Sequence, residues 1–216
     1  MTIITNSGKI LTTGSTYIAS RGLPAEYTRY GIDLDSQSLV GYTGRLPAAS
    51  GSRSWTDGQL VGCAIWIARP CTLLGLMHFQ TNTPTAATYD NNNKVGLYTS
   101  DGTDLTLVAS TPNGGENMYS LNQTNQWRHN FFTDPLVVTA PTLMWAAAVS
   151  NWSSLTGSNQ TYNCCGTLVN ASASNPLGTS GLHRFWTVAS QTDLPATQAW
   201  SGVTAATNAP LFFAFT

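Results

Sequence analysis

The stretch KVGLYTSDGTDLTLVAS, Lys94 to Ser110, decides the fold class of this chain. Apolar residues alternate with others in two runs, Val95 to Thr99 and Leu105 to Ala109. A period of two is the pattern of a strand with one buried face. Between the runs, Asp101-Gly102 favours a tight hairpin turn, because glycine adopts positive φ without a steric penalty. The stretch therefore predicts two antiparallel strands joined by a hairpin.

A second strand-forming stretch follows, WRHNFFTDPLVVTAPTLMWAAAVS, Trp127 to Ser150. Asp134-Pro135 and Ala140-Pro141 mark two corners, since proline cannot donate to a sheet ladder. These corners are expected to divide the stretch into three short strands, the last carrying Trp145 into the core. We interpret Lys94 to Ser150 as four or five antiparallel strands that form the scaffold of the domain.

Apolar runs on both sides of this scaffold supply its partners. Leu60 to Arg69 is a candidate strand with one apolar face, Cys71 to Gln80 is a second, and Pro210 to Thr216 is the last. The apolar face of the first is expected to comprise Val61, Cys63, Ile65 and Ile67. These runs predict strands packed around the scaffold.

Two polar passages separate the apolar runs. Thr81 to Asn93 is expected to be a polar loop. Asn151 to Ala209 is expected to be rich in loops, with strand-like islands at Cys165 to Val169 and Leu182 to Ala189. No window shows helical periodicity, and about eight main strands follow residue 58. The fold class is therefore all-β, an antiparallel jelly-roll-like β-sandwich.

The first quarter of the chain has a different composition from the rest. Two β-prone runs, Ile3 to Thr5 and Ile10 to Thr12, flank a turn and predict a small hairpin that needs a packing partner. Glycine and proline then interrupt every regular pattern as far as Ser54. We therefore expect a docking or oligomerisation segment at residues 1–54 and the jelly-roll β-sandwich domain at residues 55–216.

The composition limits the class of protein. Charged residues make up 9% of the chain, against about 25% in typical soluble domains. Threonine, serine, asparagine and glutamine supply the polarity instead. Low charge removes a common safeguard against association, so an oligomer or a shell component is favoured over a free enzyme. The net charge of −1 gives no support for binding nucleic acid.

The sequence predicts synthesis in a cytoplasm without export or membrane insertion. No apolar run approaches the length of about 20 residues that crosses a bilayer. Met1 to Ser20 lacks the apolar core of a signal peptide. The four cysteines, Cys63, Cys71, Cys164 and Cys165, lack the spacing of a zinc or redox site and are expected to be free thiols.

Motifs for catalysis and metal binding give no support for an enzyme. His78, His129 and His183 lie in no recognised catalytic motif. Asp33 and Asp35 are the best carboxylate pair for glycoside hydrolysis, but a polar loop explains them more simply. Asp90 to Asn93 and Asp101 to Asp104 hold oxygen ligands of the calcium type, and turn chemistry explains both. We expect no catalytic residue, no metal and no cofactor.

Aromatic residues beside amides suggest a sugar site. Asn151-Trp152 and Asn159 to Tyr162 place rings next to amide side chains. A ring packs against the apolar face of a pyranose while amides bond its hydroxyls. The glycan-binding candidates are therefore Asn151, Trp152, Asn159 and Tyr162. Trp186 and Trp200 also lie in loop-rich sequence. Packing into the core or an oligomer interface is the alternative for all these aromatic residues.

The chain resembles the β-sandwich proteins displayed on tailed-bacteriophage particles, such as fibre or spike tips and head-decoration proteins. The resemblance covers about half the chain and rests on three segments. These are Val95 to Tyr98 with Asp101-Gly102, Leu105 to Ser110, and Pro135 to Val138 leading into Pro141 to Val149. The last segment stands where such proteins have a G-x-Y-W-L-A strand; here Pro141 replaces the glycine and Met144-Trp145 the aromatic pair. The opening MTIITNSGKILTTG is also similar to the start of a complete virion protein.

The resemblance implies a non-enzymatic virion protein that forms a homotrimer and docks on other virion proteins through its amino-terminal part. Host recognition through surface polysaccharide is the expected role of the displayed domain. Two alternatives remain open, a free carbohydrate-binding module or lectin and a polysaccharide-degrading enzyme. The shortage of paired acids makes the enzyme the least favoured of the three.

Overall fold

The computed structural model describes residues 2–4, 10–12, 39–42, 52–67, 69–82, 84–114, 126–157, 161–163, 185–206 and 212–216. The chain divides into two compact units, Met1–Leu39 and Val40–Thr216. In the first unit, β1 (Thr2–Ile4) and β2 (Ile10–Thr12) pair antiparallel with Ile3 opposite Leu11. This confirms the hairpin that the two β-prone runs predict.

The described part of the second unit consists mainly of β-strands. Its strands are β3 (Leu39–Tyr42), β4 (Ser52–Ser54), β5 (Gln59–Ile67), β6 (Cys71–Asn82), β7 (Ala86–Tyr89), β8 (Lys94–Ser100), β9 (Asp104–Ser110), β10 (Gln126–Val138), β11 (Thr142–Ser150), β12 (Trp152–Thr156), β13 (Thr161–Asn163), β14 (Phe185–Val188), β15 (Thr197–Ala199), β16 (Thr204–Ala205) and β17 (Phe212–Phe215). One 3-10 turn, Trp200–Gly202, is the only helical element among the described residues. The all-β class is confirmed.

Every described strand pair is antiparallel. β11 pairs with β5 along its whole length and with β8 on its other edge, β8 pairs with β9, and β9 with β15. β6 pairs with β10 on one edge and with β17 and β13 on the other. Thirteen strands form one sheet, while β7 and β12 form a separate two-stranded ribbon. Strands β3 and β4, which lie within residues 1–54, pair with β5 and β13 of this unit.

Strand β10 corrects the expected corner at Asp134-Pro135. The chain from Gln126 to Val138 is one strand, whose register against β6 shifts between Phe131 and Leu136. Pro135 lies inside this shift, where β10 carries more residues than the strand it faces. A bulge leaves residues out of the ladder, so proline's missing N–H costs no hydrogen bond there. The block from Lys94 to Ser150 thus contains four strands in its described part.

The polar passages hold short strands that the sequence does not predict. β7 lies inside the expected loop Thr81 to Asn93, and β12 begins the loop-rich passage after Ser150. Both strands have exposed or half-buried residues only, so neither carries an apolar alternation. β14 and β17 lie in predicted strand regions, while Cys165 to Val169 is outside the described residues.

The central strand β5 is buried on both faces. Val61, Cys63, Ile65 and Ile67, the predicted apolar face, are all at most 2% exposed. The opposite face carries Leu60 and Ala64 into a second cluster of buried residues. That cluster also contains Tyr98, Trp145, Trp186 and Trp200. Trp145 therefore lies in the core as predicted, and a strand covered on both sides explains the nearly continuous apolar sequence LVGCAIWI.

Aromatic rings in this cluster meet edge to face. The Trp186 ring contacts Tyr98 and Trp200 at centroid distances of 6.4 and 6.3 Å, and Trp145 contacts Trp200 at 5.4 Å. The Trp200 indole N–H donates to Ser100 Oγ at 2.8 Å, and the Tyr98 hydroxyl donates to the Pro195 carbonyl at 3.0 Å. Trp186 and Trp200 are thus core residues, which excludes them from direct contact with a glycan.

No helix in the described part of the chain is long and apolar enough to span a membrane.

Candidate functional site

A polar cleft of about 430 Å³ opens where the ribbon β7–β12 meets the loops at one end of the main sheet. We call it the asparagine cleft; it is lined by Ala87, Thr88, Tyr89, Asn91, Asn93, Asn113 and Gly114. Its volume is within the range of small-ligand sites, roughly 300–1,000 Å³. The lining combines one aromatic ring and three amides.

The ribbon places Trp152 opposite Tyr89, the aromatic residue that lines the cleft. The β7–β12 register shifts immediately after Trp152. Residues directly opposite each other in an antiparallel pair have their side chains on the same face. The Trp152 N–H donates to Asp57 Oδ1 at 2.9 Å, which anchors the start of β12 to the turn before β5. Trp152 is half-buried and so remains partly available to a ligand.

Asn91 forms the outer wall of the cleft in an uncommon backbone conformation. Its φ is +48°, in the left-handed region that asparagine tolerates better than most residues. The side chain is exposed, and its Nδ2 donates to Asp90 Oδ1 at 3.3 Å. Non-glycine residues in this region are found at ligand sites more often than elsewhere. The conformation directs the chain from β7 into the loop that closes the cleft.

Asn93 holds the cleft together, and it is only 1% exposed. Its N–H donates to Asn113 Oδ1 at 2.9 Å, and its carbonyl accepts from the Gly114 N–H at 2.9 Å. Its side-chain Oδ1 accepts from the Asn151 N–H at 2.7 Å, and its Nδ2 donates to the Asp90 carbonyl at 3.2 Å. All four polar groups are satisfied, so this buried amide fixes three chain segments relative to one another.

Two further amides brace the same loop. Asn151 Nδ2 donates to the Asn92 carbonyl at 2.6 Å, and Asn113 Nδ2 donates to the Asn91 carbonyl at 3.1 Å. Each bond joins a side chain to backbone far away in sequence. An asparagine-rich loop is thus held in one shape without an apolar core of its own, which pre-forms the cleft.

The one ion pair among the described residues joins the end of the loop at residues 90–93 to Asp193. Lys94 Nζ is 3.0 Å from the Asp193 carboxylate, which also accepts from Asn92 Nδ2 at 3.0 Å. The Asn92 N–H donates to the Thr192 carbonyl at 3.0 Å. Partly exposed ion pairs contribute little stability by themselves, about 0–1 kcal/mol. Here the pair fixes the loop against residues 192–193.

The expected calcium candidates have their oxygens engaged in turns. Asp101 Oδ1 accepts from the N–H groups of Asp104 and Thr103, both at 2.8 Å. These two bonds hold the pKa of the Asp101 carboxyl below its usual value. The Asp90 carboxylate accepts from Asn91. In the described part of the chain, no three His, Cys, Asp or Glu side chains come together as metal ligands.

His78 is enclosed in the interior. It is 0% exposed, and burial, with a smaller contribution from the Arg128 charge, lowers its pKa from 6.5 to about 3. Asn130 Nδ2 lies 3.1 Å from its Nδ1. The rings of Trp55 and Phe212 meet it edge-on at 6.0 and 6.1 Å. A neutral imidazole enclosed in this way has no access to a substrate in the cleft.

Of the four predicted glycan-binding residues, three lie in the described part of the chain, and two of these, Trp152 and Tyr162, belong to two different strand pairs. Asn151 and Trp152 lie beside the cleft, but Asn151 is 2% exposed and its amide braces the loop. Tyr162 is on β13, which pairs with β4 and β6 and not with the ribbon; its side chain is outside the described residues. Asn159 also lies outside them, as do Asp33 and Asp35.

Sequence reasoning missed the residues that line the cleft. Tyr89 and Asn91 fall in the passage interpreted as a polar loop, and Asn113 follows β9. The run Asn91-Asn92-Asn93 was the available signal, since consecutive amides in a turn are a local source of hydrogen bonds. What the sequence did not indicate is that Asn113 and Asn151 converge on that run.

No protein-family model matches this sequence, and no match is found among curated proteins. The residues of the cleft are therefore the basis on which a function is proposed.

Proposed function

We propose that this chain is a non-enzymatic structural protein displayed on the surface of a bacteriophage particle, as a fibre or spike tip or a head decoration. In this proposal the second unit binds host surface glycans through the asparagine cleft. The observation that carries the glycan role is the cleft itself, which sets an aromatic ring among three amides. The particle role is supported by the sequence resemblance and by the low charge of 9%.

The chemistry of the cleft suits a polyhydroxylated ligand. Amides both donate and accept hydrogen bonds, as sugar hydroxyls do. Ala87 and Tyr89 alternate on one face of β7 and offer an apolar surface for the C–H face of a pyranose. Among the described residues, no carboxylate or imidazole lines the cleft. The lining thus provides binding groups without a general acid or base, which supports a binding role over hydrolysis.

A jelly-roll arrangement of the second unit is part of this proposal. Strands that pair in space are far apart in the chain, as with β5 and β11 or β6 and β17. Such long-range antiparallel pairing is typical of Greek-key connections, of which a jelly roll has two. The burial of β5 on both faces supports a layered sandwich.

Glycan binding is tested on an array of bacterial surface polysaccharides and synthetic oligosaccharides. We expect wild-type protein to bind, and Asn91→Gly to bind about five- to tenfold more weakly, since a hydrogen bond contributes about 1 kcal/mol. Glycine accepts the positive φ at this position, so the variant loses the amide without backbone strain.

A matched pair of tryptophan variants controls for loss of exposed aromatic surface. Trp152→Leu is expected to weaken binding, because Trp152 lies beside Tyr89. Trp66→Leu is expected to leave binding unchanged, because Trp66, though 45% exposed, lies opposite Leu143 and Tyr42 and not opposite a residue of the cleft. Equal binding by wild type, Asn91→Gly and Trp152→Leu would refute a glycan site here.

A free lectin is the second candidate, because the same cleft would serve it equally well. Solution mass separates the two. We expect size-exclusion chromatography with light scattering to give a homotrimer, three times the chain mass of 23.0 kDa. A low-charge surface associates more readily than a charged one. A mass of one chain at micromolar concentration would favour the free lectin and contradict the particle role.

A further inference from the structure

The lining of the asparagine cleft carries no formal charge. All seven lining residues are neutral at pH 7: Ala87, Thr88, Tyr89, Asn91, Asn93, Asn113 and Gly114. A carboxylate or sulfate group placed among them would lose hydration without gaining a cation in return. Neutral hydroxyls lose less hydration and regain hydrogen bonds from the amides.

A negative charge lies beside one of the lining side chains. Asp90 Oδ1 accepts from Asn91 Nδ2 at 3.3 Å, so the carboxylate lies against a side chain that lines the cleft. Its backbone is fixed, since the Asp90 N–H donates to the Asn151 carbonyl and its own carbonyl accepts from Asn93. The other carboxylate of the loop region, Asp193, is paired with Lys94. Among the described residues no cation is paired with Asp90, so its charge repels an anion that enters the cleft.

Arg128 is the cation to be weighed against Asp90. Burial lowers the pKa of Arg128, and the charge interaction with nearby Tyr89 opposes this shift without cancelling it. Neither Arg128 nor Asp90 is among the residues that line the cleft. The Asp90 carboxylate accepts a hydrogen bond from the lining Asn91 side chain, so it is the charge held directly against the lining.

We infer that the asparagine cleft binds neutral saccharides of one or two rings and discriminates against acidic sugars such as sialosides and uronides. This inference rests on the proposed glycan-binding function and names the class of ligand. The volume of about 430 Å³ suits a ligand of that size. The exposed amides of Asn91 and Asn113 supply affinity, and the carboxylate of Asp90 supplies selectivity.

The test compares matched probes by titration calorimetry on the full chain. The neutral probes are mono- and disaccharides of glucose, galactose, mannose and N-acetylglucosamine; the acidic probes are a methyl sialoside and digalacturonate. We expect at least one neutral probe to bind. At low salt, the acidic probes should bind at least about tenfold more weakly than that neutral probe. The isosteric variant Asp90→Asn should reduce that ratio to about threefold or less.

Asp134→Asn is the matched control, because Asp134 is an exposed carboxylate on β10 that does not line the cleft. It should leave the ratio unaltered. Acidic probes that bind as tightly as neutral ones, or whose binding is lost in Arg128→Gln, would overturn the inference and leave the proposed glycan function standing. An Asp90→Asn variant with the wild-type ratio would also overturn it. If none of the probes and no glycan on the array binds, the glycan function fails together with the inference.

Discussion

Replacing Gly62 by alanine is expected to lower the free energy of unfolding by about 2–4 kcal/mol, because a buried methyl group has no room there. Gly62 lies opposite Trp186 in the β5–β14 register. A Cβ at Gly62 would overlap the Trp186 indole at Cζ2, Cε2 and Cη2. The indole cannot retreat, since Trp186 is 0% exposed and meets the Tyr98 and Trp200 rings edge to face. Urea unfolding followed by tryptophan fluorescence measures the loss.

A glycine in open space separates this packing effect from the general cost of replacing glycine. Gly102 has φ +97° and no atom within 4 Å of an added Cβ. Gly102→Ala is therefore expected to cost about 1 kcal/mol through backbone strain alone.

The smaller ring in Trp186→Phe should partly relieve the overlap. The double variant Gly62→Ala, Trp186→Phe is thus expected to lose about 1 kcal/mol less unfolding free energy than the sum of the losses in the two single variants. A Gly62→Ala protein within about 0.5 kcal/mol of wild type would contradict the close packing described here.

The strands that make up the core are predictable because their signal is local. Two-residue alternation marks β8 and β9, and apolar runs mark β5 and β17. Trp145 is predicted correctly for the same reason, since it lies in the run Met144 to Val149 of β11, which is apolar and buried throughout. The burial of β5 on both faces is also indicated by its sequence, because this sequence is a continuous apolar run and not a strict alternation.

The cleft is not predictable in this way, because long-range register creates it. Asn93 meets the N–H of Asn151 only because β8 and β11 pair with Val149 opposite Lys94. β7 and β12 have no apolar pattern, and each is recognisable as a strand only through the other. Register depends on contacts between distant segments, so the residues that line the cleft remain scattered in the sequence.

Bulges are a second limit on prediction from sequence. Pro135 reads as a strand end, yet it lies within the register shift of β10. The local rule that proline breaks a ladder is correct, but a bulge satisfies it without ending the strand. Similarly, the loop-rich surroundings of Trp186 suggest exposure, while β14 carries this residue into the core beside Gly62.

Acid is expected to destabilise the fold through His78. The pKa of His78 is about 3 in the folded protein and 6.5 as its ordinary value. Between these values the unfolded chain binds the proton and the folded chain does not, so the free energy of unfolding falls as the pH falls. This contribution is fully present above about pH 6.5 and is lost by about pH 3, with a total on the order of 3–5 kcal/mol.

The geometry around His78 explains why the proton is rejected. An amide nitrogen donates, so Asn130 Nδ2 makes Nδ1 the acceptor and places the proton of the neutral ring on Nε2. A second proton on Nδ1 would point at Asn130 Nδ2, so that two hydrogen-bond donors would face each other. Nε2 is buried without a hydrogen-bond partner in the described structure. The enclosing rings of Trp55 and Phe212 offer no carboxylate to balance the charge.

His78→Phe tests this explanation, because it keeps an aromatic ring and removes the titration. Asn130 Nδ2 still has the Leu76 carbonyl at 3.1 Å as an acceptor, so the variant leaves that amide partnered. We expect the unfolding free energy of His78→Phe to vary less with pH than that of wild type between pH 6.5 and 4, measured by urea unfolding at each pH. Gly102→Ala should shift the whole curve and keep the wild-type slope, since it alters no titratable group. If the unfolding free energy of His78→Phe depended on pH as steeply as that of wild type, the acid sensitivity would arise from other groups and not from His78.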